Sequence, residues 1–194
     1  MNSFIYFIIG VLATIIVGWL FYYLTTRRNK ITHRTNNCLD IGKGLTESYP
    51  DYHLLYKDKE IKNNVMILEG TFTNTGRDIS ITNDRIIILK LPEECTYLDS
   101  NIVSSSDGLS VFVVKNEEVK AQLQNLVTGD FPIAMKNQVP FLIESSLFKS
   151  KESFTYSIIF ETPTLYSIDE KLTFSYRIKD TSITKSKNLL WGII

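Results

Sequence analysis

Four side chains of this 194-residue chain belong to the types that bind soft metals or pair as nucleophile and base: His33, Cys38, His53 and Cys95. Zinc sites draw ligands from short spacings such as C-x2-4-C and H-x3-5-H, and these four are too scattered to give one. They are read instead as surface histidines and small buried thiols. The paired acids Glu93 with Glu94, and Glu117 with Glu118, stand beside Pro or Asn in predicted turns, where solvation accounts for them. The sequence carries no P-loop, no G-x-S-x-G elbow and no H-E-x-x-H helix. No catalytic group, metal or cofactor is therefore expected. An enzyme would need Cys95, His53 and a carboxylate to meet in one pocket.

Spacing of a different kind occurs in GVLATIIVGW, Gly10 to Trp19, inside an uncharged run from Phe4 to Leu24. A helix rising 1.5 Å per residue needs about 20 apolar residues to cross a hydrocarbon core of about 30 Å, and this run suffices for one crossing. No Lys or Arg precedes Phe4 and bulky FYYL closes the segment, so it reads as a retained span rather than a cleaved signal. Aromatic residues at both ends, Phe4, Tyr6 and Phe7 at one and Trp19, Phe21, Tyr22 and Tyr23 at the other, fit the two headgroup boundaries. At 100° per residue, Ser3, Gly10, Thr14, Gly18 and Thr25 fall within about 80° of one another. Gly10, Thr14 and Gly18 repeat a small-x-x-x-small spacing, which lets helix backbones approach closely and lets a hydroxyl bond across the contact. The expectation is a homo-oligomer joined along this face. Whether the face packs shut or lines a path is left open by spacing alone.

Orientation follows from the collar RRNKITHR, because cationic residues near membrane ends stay preferentially on the cytoplasmic side. Arg27, Arg28, Lys30 and Arg34 lie after the span and no charge lies before it, placing the N-terminus outside and the following domain in the cytoplasm. The collar also attracts anionic lipid, and repeated around an oligomer it would form a cationic ring. With 21 Lys/Arg and 21 Asp/Glu in all, and no acid in the first 34 residues, the remainder is acidic by four charges. That argues against broad binding of nucleic acid by the whole surface. Two cysteines suit a reducing compartment.

Helix is expected to persist to about Arg34, and the connector NNCLDIGKGLTESYP puts a domain boundary near Pro50. The parts are then a transmembrane helix over 1–26, a basic collar and connector over 27–50, a β-domain over 51–187, and an apolar tail over 188–194. The β-domain has about 140 residues, ample for one core. Its short runs rich in Ile, Val, Phe and Thr predict strands at HLLYK, VMILEGTFTN, ISI, RIIILKL, TYL, LSVFVVK, VKAQLQNL, FPIAMK, VPFLIES, SFTYSIIFE and KLTFSYRIK, with SSSDG a turn. NEEVKAQLQNL also fits helical spacing; strand is favoured. Phe154, Tyr156, Ile158 and Phe160 form one predicted core face, and Leu172, Phe174, Tyr176 and Ile178 another. In FTNTGRDISI, Asn74 bonds its own backbone and Gly76 is expected at positive φ, as at the strand-turn-strand edge of immunoglobulin-like modules. The fold class is thus mainly β: one N-terminal transmembrane helix, then an antiparallel immunoglobulin-like β-sandwich. NLLWGII is too short to span a bilayer; it reads as a last strand or plug on the core, and otherwise as a dock for a neighbour or the membrane interface.

This order of parts resembles the small bacterial membrane effectors of anti-phage systems, and among them the channel-forming effector of the Hailong system. The resemblance covers the whole chain as architecture and carries over no ligand-binding residue. It implies oligomerisation through the membrane helices, location in the inner membrane, and a pore held shut by a nucleotide or single-stranded oligonucleotide made by a partner nucleotidyltransferase. Arg77, Arg85, Lys136, Lys149 and Lys151, in or near predicted turns, are the candidate contacts for such a ligand beside their ordinary role as solvated charges. The alternative is a single-pass anchored β-sandwich that tethers a protein or ligand without conducting.

Overall fold

The structure, a computed structural model, describes residues 2–25, 29–41, 54–57, 59–61, 63–81, 86–115, 137–163, 171–178 and 180–186. Helix α1 spans Asn2–Thr25. Its Ile- and Val-rich sequence is a modest helix former in water, but in hydrocarbon only a structure that satisfies its own backbone persists. From Ile5 to Tyr22 the helix is long and apolar enough to cross a membrane, and none of that stretch is buried against the rest of the chain.

The strands described are β1 (Asn29–Asp40), β2 (Leu54–Tyr56), β3 (Lys59–Ile61), β4 (Asn64–Asn74), β5 (Ile79–Ser80), β6 (Ile86–Lys90) and β7 (Thr96–Ser105). After them come β8 (Val111–Val113), β9 (Gln138–Ile143), β10 (Leu147–Phe148), β11 (Ser153–Thr162), β12 (Thr173–Arg177) and β13 (Thr181–Lys185). One sheet runs in the order β13, β1, β4, β11, β7 and a second in the order β12, β6, β9, β8. Small ladders join β5 to β10 and β2 to β3. Pairing is antiparallel except between β1 and β13, which run parallel.

The two larger sheets face each other through aromatic side chains. Phe141 of β9 lies with its ring centroid 4.9 Å from that of Tyr156 and 5.7 Å from that of Phe154, both on β11. Phe174 of β12 reaches Phe72 of β4 at 5.5 Å. The expected β11 face holds: Phe154, Tyr156, Ile158 and Phe160 are all fully buried. On β12 and its flanks Leu172 and Ile178 are buried, whereas Tyr176, near the edge of its sheet, is exposed.

Several boundaries differ from the sequence reading. The helix gives way before Asn29, and the segment expected to be helix and connector contains β1, an inner strand of the five-stranded sheet. Its inward positions Ile31, His33 and Thr35 alternate with Lys30, Thr32 and Arg34, so the polar collar hides a two-residue period. A bulge at Asn36 then shifts the register against β4. Strand β7 runs on through Ser105, so the turn of SSSDG begins later, at Asp107 and Gly108, the latter with φ 82°. Asn74 accepts a hydrogen bond from the Gly76 N–H at 2.9 Å as expected, but Gly76 has no positive φ. Pro50, the NEEVKAQLQNL and FPIAMK segments and the 188–194 tail lie outside the described residues.

Candidate functional site

Of the small-residue face on α1, Gly10, Thr14 and Gly18 stand in exposed positions; the side chains of Ser3 and Thr25 lie outside those described. A Cβ built on Gly10 or Gly18 meets nothing within 4 Å. Packing among the described residues therefore gives no reason for glycine at either position. Thr14 donates its hydroxyl hydrogen to the Gly10 carbonyl at 2.9 Å, a back-bond one turn toward the N-terminus that lets the hydroxyl sit in hydrocarbon at little cost.

Residues 26–28 join Thr25 to Asn29. A fully extended chain gains no more than about 3.6 Å per residue, so β1 begins within roughly 14 Å of the end of α1. The end of the β-domain that carries Asn29 is thus the end nearest the helix. Lys30 is exposed there, and Arg34, also exposed, stands about 13 Å farther along the strand. The collar residues Lys30 and Arg34 therefore stand at different distances from the start of β1. Arg27 and Arg28 lie outside the described residues.

Three of the five basic residues singled out as ligand contacts converge on this same end. The turn after β4 is fastened to β1 by the N–H groups of Thr75 and Gly76, which both donate to the Lys30 carbonyl, at 2.8 and 3.0 Å. The loop between β10 and β11 is fastened to that turn: Ser150 Oγ donates to the Gly76 carbonyl at 2.8 Å, and the Lys151 N–H donates to the Asn74 carbonyl at 2.7 Å. Asn74, fully buried, donates through Nδ2 to the Arg77 and Phe148 carbonyls at 2.7 and 2.8 Å. Arg77, Lys149 and Lys151 are exposed on these loops. Arg85 and Lys136 lie outside the described residues.

Three of the four soft-ligand candidates, His33, Cys38 and Cys95, lie among the described residues. Among the described residues no group of three or more His, Cys, Asp or Glu side chains is placed to hold a metal. Cys95 is buried, and that burial pushes its thiol up from the ordinary range against a hydrogen bond from Thr162. Cys38 is half-buried, and His53 lies outside the described residues. His33, read as a surface residue, is instead 1% exposed in the core. Sequence reasoning missed its neighbour Gly70 and its bond to Tyr156, which was read only as a core residue, together with an ion pair between β7 and the stretch after β8. There Lys115 Nζ lies 2.7 Å from Asp99 Oδ1. Partial burial raises the Asp99 carboxyl, but hydrogen bonds from Lys115 and the Ser100 N–H outweigh it and hold the group below its usual range. Ser105 to Val111 line a shallow, open concavity at the end of β7.

The chain matches no family model, and no curated protein is similar to it in sequence.

Proposed function

We propose that this chain is a non-catalytic, homo-oligomeric membrane effector of bacterial anti-phage defence. In this reading α1 crosses the inner membrane with its N-terminus outside, and helices of several copies associate along Gly10, Thr14 and Gly18. The cytoplasmic β-domain, read as an elaborated immunoglobulin-like sandwich, takes a nucleotide or oligonucleotide from a partner nucleotidyltransferase and controls a narrow pore or a membrane lesion. The observation that carries the reading is the pair of glycines on an exposed apolar helix: among the described residues nothing packs on them, and small residues at this spacing are what a second membrane helix needs for close approach. The three-residue splice between α1 and an inner strand supports coupling, because a shift of the sheet is passed to the helix with little slack.

Replacing Gly18 with Ile should abolish both the oligomer and the loss of membrane potential on expression. A wild-type chain that is monomeric in mild detergent and in bilayers would overturn the proposal. The anchored tether remains the second reading, favoured by the Thr14 back-bond, since a hydroxyl satisfied within its own helix needs no partner. Exchanging residues 1–26 for an unrelated single-pass helix separates the two: a tether keeps its function and an effector of this kind loses it.

A further inference from the structure

The cations brought together at the helix end of the β-domain come from three separate stretches of chain: Lys30 on β1, Arg77 on the turn after β4, and Lys149 with Lys151 between β10 and β11. Covalent reach puts Lys30 close to the end of α1, and the hydrogen bonds from Thr75, Gly76, Ser150 and Lys151 place the other two loops beside it. If α1 spans a bilayer, Lys30 lies within about 18 Å of the helix end, and these loops are at the end of the β-domain nearest the lipid headgroups, which extend several ångströms beyond the hydrocarbon core.

The acids of the same end are arranged differently. Asp78 and Glu152 are turned onto backbone, accepting from the Ser150 and Lys149 N–H groups, each at 2.7 Å. Glu144 is fastened through its N–H to the Ser110 carbonyl, next to β8, and Asp107 lies in the turn between β7 and β8. Asp180 precedes β13. Over β1, β4 and β11 four cations thus stand with two acids, the exposed Asp78 and the half-buried Glu152, whose Oε1 also lies 3.9 Å from Lys149 Nζ, while the exposed Asp107, Glu144 and Asp180 lie toward β8 and β13. Lys and Arg extend their charge on long stems, whereas the Asp carboxylates stay close to the backbone.

We propose that Arg77, Lys149 and Lys151, with Lys30, form a contact surface for anionic lipid headgroups that fixes the tilt of the β-domain against the membrane. The inference rests on α1 being a membrane span. It goes beyond the collar, since it enlists loops more than forty residues away in sequence, and it assigns them to lipid phosphate rather than to a soluble ligand.

The test uses the full chain in nanodiscs of phosphatidylcholine alone and of phosphatidylcholine with phosphatidylglycerol, read by amide hydrogen exchange. A chain that does not enter nanodiscs fails the membrane reading itself, a result distinct from any of those below. In anionic discs, exchange in 75–78 and 147–152 should slow relative to neutral discs, while β4 and β11 stay unchanged. The R77Q/K149Q/K151Q variant should lose that protection, at about fivefold per cation in headgroup occupancy, and about 1 M salt should erase it in the wild type. Equal exchange in the two lipids overturns the proposal. So does protection that persists in the triple variant, that is reproduced in neutral discs by inorganic phosphate, or that appears only when copies associate.

Discussion

His33 Nε2 and the Tyr156 hydroxyl lie 2.7 Å apart on strands that do not pair, with β4 running between them. The bond crosses the place where Gly70 pairs with Thr35 on one side and Tyr156 on the other. A Cβ on Gly70 would come within 2.5 Å of the Tyr156 hydroxyl oxygen and 2.9 Å of His33 Nε2. The glycine is thus a gap through which two buried polar side chains meet. The imidazole is lined by Phe72 and Phe174, at centroid distances of 4.9 and 4.6 Å, so neither ring has room to retreat.

Gly70→Ala should accordingly destabilise the domain by about 1–3 kcal/mol, the usual cost of overpacking a closed core. Tyr156→Phe should cost about 1–3 kcal/mol by removing a hydrogen bond from a buried imidazole. Because both changes act on one contact, the double variant should lose less than the two single losses together. Urea unfolding of the four proteins measures this, and strict additivity would show that the hydroxyl and the glycine are unrelated.

This pair also shows where sequence reading stops. The face of β11 was legible because its apolar residues alternate, and the buried face follows that alternation. Strand β1 was not, since two of its three inward residues, His33 and Thr35, are polar and the outward ones belong to a basic collar that reads as membrane topology. Burial of His33 depends on a glycine 37 positions away and a tyrosine 123 positions away, a coincidence that only folding creates. Strands β3, β10 and β13 are short and carry little apolar period of their own. The convergence of Arg77, Lys149 and Lys151 was invisible for the same reason: each sits in its own turn, and backbone hydrogen bonds bring the turns together.

Asn74 offers a sharper probe of that junction. Its amide nitrogen donates to two carbonyls, and its amide oxygen accepts from Gly76. Asn74→Ala should cost about 2–4 kcal/mol, since it leaves buried backbone groups without these bonds. Asn74→Asp keeps the shape but sets a carboxylate against the Arg77 and Phe148 carbonyls. Its folded pKa should be raised, so the variant should gain stability relative to wild type as pH falls through that raised value. A pH-independent deficit between the two proteins would count against this arrangement.

The Asp99 and Lys115 pair predicts the opposite slope. The folded carboxyl lies below its ordinary value of about 3.9, so the pair contributes fully above that pH and is lost as pH falls through the depressed folded value. Both side chains are about half exposed, which limits the effect to about 0.2–1 kcal/mol and makes it salt-sensitive. The stability difference between wild type and Lys115→Met should be present near pH 6 and should vanish near pH 2, and high salt should shrink it at neutral pH. A difference unchanged across that range would mean that Lys115 acts through packing of its stem.

On α1 the two kinds of small residue make separable predictions. Thr14 spends its hydroxyl on the Gly10 carbonyl of its own helix, so its contribution to association should come from size and not from a bond to a neighbour. Valine has nearly the same volume and branches at the same carbon, so Thr14→Val should change self-association in bilayers by less than about threefold. Gly10→Ile and Gly18→Ile place side chains in space that is empty among the described residues, so the isolated helix and the β-domain should be undisturbed. Between copies, the same side chains would hold the backbones apart and should weaken association at least about tenfold. Energy transfer between donor- and acceptor-labelled chains, titrated by dilution with lipid, measures all three. If Thr14→Val weakened association as much as Gly18→Ile, the hydroxyl would be bonding across the interface and the back-bond would belong to the separated helix alone.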